Sequence, residues 1–475
     1  MASSAVIKIA AIAAVAVIAV SAVAIVFAMN NNNKTESYPI ESSLMVRGNA
    51  DNNYTIDSKD MAIVDDIIAG DKELKDYPLA DINSDGVVDA KDKAILQDML
   101  DHKIGMTMYV QTLNREGKEV TVEVKYPLRN VVTYATNMEM PTLYAGGGPY
   151  IAGYFTKSYD NAQASVASTA KDLNGSQRQI SDENWTSFTT LDSKLREGGG
   201  DGIGALLVDY SGIKQITAAR ASDLADAKIP MLAYKSADCM VESATVITLS
   251  YLFGEDTEKT GISYAKLADK VMDKIKSKVG DLEDKDKTTY MCFTMYIYIC
   301  QNDSTFNTSP SVVYGLPYYK VNSTFSSKYT GSGSKIMADV EALSNYKDVN
   351  VLINNRSIDW QKTTDDVNST IVETWEHSNK KSTKAGSETT GGLSTEYYKG
   401  FETKLNYINN LMPGPAKMAY LAAMLYGDDF SFDWADDILQ ECIDMGLLPL
   451  KDQSVDNIVP YFNKEKYDAA KAAKA

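Results

Sequence analysis

The chain has 475 residues, 44% apolar and 23% charged, enough for two to four domains around a large buried core and unlike a disordered or disulfide-stapled polypeptide. With 47 Lys and Arg against 64 Asp and Glu, its net charge of −17 repels phosphate backbones and argues against nucleic acid as a partner. Its two histidines, His102 and His377, cannot build a three-His zinc site or separate His-based catalytic centres, which removes many hydrolases.

After the lone cation Lys8 comes an uncharged run from Ile9 to Met29. At about 1.5 Å per residue it spans roughly 30 Å, the hydrocarbon thickness of a bilayer. It predicts a transmembrane anchor, with a cleaved signal as the alternative, and hence a single-pass membrane protein with the bulk of the chain extracellular. Nine Asn-x-Ser/Thr sequons, at Asn33, Asn53, Asn174, Asn184, Asn302, Asn307, Asn322, Asn355 and Asn368, agree with an outside location. The four cysteines are too few and scattered for a disulfide framework or a zinc cluster. Cys292 and Cys300 are expected in one strand, where they cannot easily pair.

Residues 30–43 read as a polar spacer, and an internal repeat follows. Residues 48–60 and 80–92 match at an offset of 32, and Ile63, Val64, Ile67 and Ile68 correspond to Ile95, Leu96, Met99 and Leu100. Each unit predicts an oxygen-rich loop followed by a short amphipathic helix, and two such helices can bury their faces on each other.

From about Met106 the pattern changes to alternating strands and helices. Strands are predicted around 120–124, 130–134, 205–208 and 230–234. A long amphipathic helix is predicted from Ile262 to Val279, ending at Gly280. Further strands are expected at 290–300 and 350–354, helices at 416–426 and 436–445, and a frayed Lys/Ala tail from Lys464. The fold class is therefore α/β, two Rossmann-like lobes joined by a rigid helix, preceded by a small all-α EF-hand-like module. The corresponding domain division is 1–29, 30–44, 45–105, 106–261, 262–281 and 282–475.

The repeated loops carry the most specific chemistry. Oxygens recur at loop positions 1, 3, 5, 7, 9 and 12, the spacing with which a hard divalent cation collects six or seven ligands. The second loop offers Asp81, Asn83, Asp85, the Val87 carbonyl, Asp89 and Asp92, with Gly86 at the sharp turn. The first offers Asn49, Asp51, Asn53, the Thr55 carbonyl, Asp57 and Asp60, with Tyr54 in place of the glycine. Two calcium sites are expected, the second tighter, since a left-handed Tyr54 would cost about 1 kcal/mol.

This duplicated pattern, over 46–103, resembles the type I dockerin calcium module. The resemblance implies a cohesin partner recognised through loop positions 10 and 11. Here those are Ser58-Lys59 and Ala90-Lys91 rather than a Ser-Thr pair, so a calcium-stiffened spacer is the alternative.

The larger part resembles another family. Thr112-Leu-Asn-Arg-Glu-Gly-Lys-Glu-Val-Thr-Val, Tyr126-Pro-Leu-Arg-Asn-Val-Val and Gly146-Gly-Gly-Pro-Tyr-Ile-Ala-Gly, with later stretches in matching order, look like the substrate-binding proteins of ABC importers of the cobalamin and iron-siderophore class. The resemblance implies no covalent chemistry, a metal-chelate or corrinoid solute, and a permease partner. In such a fold the ligand lies between lobes, where loops at strand C-terminal ends converge. Candidate ligand contacts are Tyr134, Thr136, Asn137 and Met138 after the first strand, Asp209, Tyr210 and Ser211 after the third, and Asn355, Arg356 and Trp360 in the second lobe. An Arg beside a Trp can grip an anionic chelate while the ring packs its apolar face. Trp185 and Trp375 read as core or rim, residues 198–204 are not a phosphate loop, and no catalytic constellation emerges. A cell-surface scaffold using a dockerin–cohesin contact is the alternative function, and an extracellular glycan-acting enzyme a third.

Overall fold

The computed structural model describes residues 43–134, 136–156, 178–181, 185–234, 239–283, 290–294, 296–301, 334–336, 350–356, 366–378, 402–409, 411–448 and 454–474, with residues 286, 288 and 358. The apolar run 9–29, Trp360 and the sequons at Asn33, Asn174, Asn184, Asn302, Asn307 and Asn322 lie outside them. The expected placement as a single-pass membrane protein is corrected: among the described residues no helix is long and apolar enough to cross a membrane.

The repeat forms two loop–helix units, with helices α1 (Ser58–Ala69) and α2 (Ala90–Leu100). Asp57 and Asp89 cap them in matching extended backbone, and Asp60 and Asp92 at the third helical position close capping boxes. The loops share a left-handed fourth residue, Asn52 (φ 56°) and Ser84 (φ 58°), but part at the sixth. Gly86 is left-handed (φ 93°), whereas Tyr54 is not among the residues with positive φ, so the strain expected at Tyr54 is avoided by a different backbone path.

This pair is not a spacer. Leu44 and Val46 are fully buried, Val46 forms an antiparallel bridge with Val110, and the Met45 N–H donates to Thr248 Oγ1 at 2.9 Å. Ile63, Val64, Leu96 and Met99 belong to the same apolar cluster as both lobes. Burying a carboxylate at Val46 would leave it unpaired. Val46→Asp is expected to cost about 3 kcal/mol and to lower the melting of the whole chain in one transition. A separate early transition confined to 44–105 in calorimetry would show instead that the pair is independent.

Strands β1 (Thr107–Leu113) and β2 (Glu119–Lys125) form a hairpin. The first lobe is a parallel sheet of order β5-β4-β3-β6-β7, comprising β3 (Val131–Tyr134), β4 (Ile151–Thr156), β5 (Arg178–Ser181), β6 (Ala205–Asp209) and β7 (Met231–Tyr234). The hairpin covers the β7 edge, where Thr112 Oγ1 donates to the Ala233 carbonyl and accepts the Ala233 N–H. Helices α3 (Thr136–Tyr144) and α6 (Cys239–Phe253) share one apolar cluster with Val131, Ala205, Leu207 and Leu232. Helices α4 (Trp185–Arg196) and α5 (Ala218–Asp226) contribute to a second cluster with Val132, Leu206 and Val208. Alternate strand residues thus feed opposite faces, as a doubly covered parallel sheet requires.

The connecting helix α7 (Glu255–Val279) starts earlier than Ile262, and its first turn carries Glu255, Asp256 and Glu258, where the helix dipole favours acids. The second lobe is a mixed sheet of order β10-β9-β8-β11-β12-β13: β8 (Tyr290–Thr294), β9 (Tyr296–Gln301), β10 (Ser334–Ile336), β11 (Val351–Arg356), β12 (Leu405–Asn409) and β13 (Tyr461–Asn463). The single strand expected over 290–300 is two strands paired antiparallel, so Cys292 and Cys300 sit on neighbouring strands. Among the described residues, the lobe's helices are α8 (Val367–Ser378), α9 (Gly414–Leu425), α10 (Phe432–Asp444) and α11 (Lys464–Ala473). The tail is not frayed: Tyr467 stacks on buried Trp375 with ring centroids 4.8 Å apart.

Candidate functional site

In parallel sheets the helix after each strand starts at the strand's C-terminal end. The starts of α3 and α6 therefore lie at one end of the first lobe's sheet, and that of α9 at the corresponding end of the second. The starts of α6 and α9 meet: the Gly414 N–H at the start of α9 donates to Glu242 Oε2, in the first turn of α6, at 2.6 Å, and Tyr144 Oη, on the last residue of α3, donates to the Leu411 carbonyl at 2.8 Å. Tyr264 of α7 donates to the same oxygen at 2.5 Å. Glu242 is buried, which raises its pKa; the charge of buried Lys417, on α9, acts in the opposite direction. These contacts join the two lobes.

The candidate residues separate. Thr136 and Asn137 occupy the first turn of α3, and Asn355 and Arg356 end β11 beside β12. Tyr210 is exposed and lies against the hairpin turn, where a Cβ on Gly117 would come within 3.2 Å of its ring. Asp209 is buried at the end of β6. Tyr134 and Met138, expected as ligand contacts, are buried: Tyr134 packs on Phe155 at 5.1 Å between centroids, and Met138 lies fully buried in the core. Each apolar body contributes more stability inside the sheet–helix layer than at a wet surface.

Four buried polar or charged side chains escaped sequence reasoning. Asn409 fixes the loops after β11 and β12, accepting the Ile358 and Leu411 N–H groups and donating to the Ile358 carbonyl. Glu242 and Lys417 are lone charges in otherwise apolar helices, a pattern visible in the sequence. Glu139, in the first turn of α3, is buried and its pKa is pushed up to about 8 by burial.

In the repeated loops the carboxylates engage backbone N–H groups. Asp92 accepts from Ile82, Asn83 and Asp89, and Asp81 from Asp85 and Gly86. Asp60 accepts from Asp51 and Asp57, and Asn49 donates to the Leu44 and Asn53 carbonyls. The Arg47 guanidinium lies 3.5 Å from Asp81 Oδ2. Among the described residues no three His, Cys, Asp or Glu side chains converge as a ready metal cage. The donor set suits a hard cation in kind, but loading it means turning carboxylates off these N–H groups and easing Arg47 away.

No family model matches the chain, and no curated protein does. Among solved structures, it is similar to the TroA-like periplasmic binding protein FepB from Veillonella parvula, with 11% identity over 74% of this chain and 99% of that one and a TM-score of 0.48. It is similar to CeuE of Helicobacter pylori in a nickel–histidine complex, with 11% identity over 73% and 98% and a TM-score of 0.45. An ABC transporter solute-binding protein from Sulfurospirillum deleyianum gives 13% identity over 70% and 94%, with a TM-score of 0.41. The Veillonella and Sulfurospirillum proteins are binding proteins by name. With TM-scores below 0.5, the architecture stands on the chain's own strand order and connections. The loop–helix pair finds no support in these comparisons as a dockerin.

Proposed function

We propose that this chain is the solute-binding component of an ABC importer and that its cargo is a metal chelate or corrinoid handed to a permease. The observation that carries this reading is the meeting of two sheet-based lobes at their strand C-terminal ends, spanned by one long helix. The space bounded by the starts of α3 and α6 and the ends of β11 and β12 is where such a solute would sit. Thr136, Asn137, Tyr210 and Arg356 are the candidate contacts that this arrangement leaves. Native mass spectrometry of the full-length chain, purified without added ligand, tests the reading. A co-purified chelate or corrinoid supports it; a chain that carries none and binds none on titration opposes it.

Two calcium ions in the repeated loops are part of the proposal, with a structural task. Because the loops cap α1 and α2, and these helices share the lobes' apolar core, calcium would stiffen the N-terminal side of the fold. Calorimetric titration of the full chain is expected to give two sites, with Asp85→Ala removing the second. Unchanged stoichiometry in that variant would overturn the assignment. A scaffold role through cohesin has no observation in its favour, since the loop–helix pair is packed on its own chain.

A further inference from the structure

The face of the first sheet that α3 covers holds two buried oxygens without a hydrogen-bond partner, Thr133 Oγ1 and Glu139 Oε1. Thr133 is fully buried and Glu139 is 3% exposed. Thr133 pairs with Tyr154 across β3 and β4, so the two share a face. Glu139 is near enough to Tyr154 for its charge to raise the phenol's pKa, and Tyr154 is itself only half-buried. The group therefore adjoins a side chain that keeps part of its surface in solvent.

A buried carboxyl oxygen with no donor carries a desolvation cost that a bound donor would recover. Thr133 Oγ1 can donate or accept, whereas an ionised Glu139 only accepts, so a positively charged donor would satisfy the carboxylate and offset its lost hydration. The chain's net charge of −17 favours the approach of cations. We propose that Glu139, flanked by Thr133 and Tyr154, anchors a protonated amine carried by the solute. This rests on the binding-protein reading and adds to it the chemical class of one solute group.

The step conserves charge and protons. Before binding, burial keeps Glu139 protonated at pH 7; the ammonium group brings the compensating charge, Glu139 ionises, and its proton leaves to solvent. No bond in the solute changes.

The test uses the full chain with n-butylammonium as probe and n-butanol as its uncharged match, by calorimetry at pH 7 in two buffers of different ionisation heat. Butylammonium is expected to bind with release of about one proton, to bind at least tenfold more weakly to Glu139→Gln, and to outcompete butanol in the wild type. Failure of butylammonium to bind, binding without proton release, or equal binding by the variant each overturns the proposal. Circular dichroism confirms that the variant is folded. A chelate or corrinoid held equally by wild type and Glu139→Gln overturns the amine anchor alone and leaves the binding-protein reading standing. A chain that binds butylammonium through Glu139 but never a chelate or corrinoid does the reverse.

Discussion

Replacing Glu139 by glutamine is expected to make the chain more stable at pH 8 and to flatten the loss of stability between pH 5 and pH 8. Burial lifts this carboxyl from 4.5 to about 8. Between those values the folded chain retains a proton that the unfolded chain has released. The contribution of Glu139 is therefore fully present below the unfolded value and is lost as pH rises through the folded one. Each unit of that window is worth about 1.4 kcal/mol, so up to roughly 5 kcal/mol is at stake, an upper bound because a buried site relaxes and admits water. Glutamine has nearly the same shape and never ionises, although its amide also lacks a partner and returns part of the gain. Urea unfolding at pH 5, 6.5 and 8 reads the effect directly. The wild type should lose stability steadily as pH rises and the variant less. Glu242 and Glu258, both raised by burial, keep the variant's slope from vanishing. Parallel slopes in the two proteins would mean that Glu139 is solvated or paired in solution.

Much of the architecture was legible because it follows from period. The alternation of Val120, Val122 and Val124, the unbroken apolar run at 205–208 and the helical face through Tyr264, Leu267, Val271 and Ile275 each reappear as the expected element. Where the reading slipped, a tertiary contact overrode the local pattern. The run 290–300 is as apolar as one buried strand, but its two ends pair antiparallel as β8 and β9, which periodicity does not detect. The tail from Lys464 has the composition of a frayed helix, yet one aromatic residue, Tyr467, stacks on Trp375 and holds it. The loop–helix repeat gives no local sign that Leu44 and Val46 will dock on a hairpin some sixty residues later, because that docking is written in the shape of the partner.

The candidate site was less legible for a physical reason. Position after a strand identifies the right end of a sheet but not which way a side chain turns. Tyr134 and Met138 stand at that end and point into packed layers, while Glu139, one residue on, is the buried acid. Likewise Tyr210 follows β6 but rests on the hairpin turn. The lone charges Glu242 and Lys417 were better clues than the loop residues, since an ionised group in an apolar helix is tolerated only where a partner compensates its desolvation.

That compensation leads to the second large effect. Glu242→Ala leaves the Gly414 N–H and the Tyr264 hydroxyl without their acceptor, and Lys417 with its charge buried and unopposed. A loss of about 3–5 kcal/mol is expected, the usual consequence of removing one member of a buried pair. Lys417→Met costs less, because Glu242 keeps two donors and can take up a proton. The double variant Glu242→Leu with Lys417→Met should be more stable than Glu242→Ala alone, since it removes both desolvated charges together, and a double-mutant cycle measured by urea unfolding should show coupling well above the few tenths of a kcal/mol typical of independent sites. Additive losses would mean that the two charges do not sense each other and that the start of α9 is held by packing alone. Because this group ties α6 and α7 to α9, its loss loosens the junction on which both walls of the proposed solute site are set. Hydrogen exchange in Glu242→Ala should therefore rise at the starts of α6 and α9 while the centres of β6 and β12 stay protected, and an increase confined to one lobe would show that the junction is not shared.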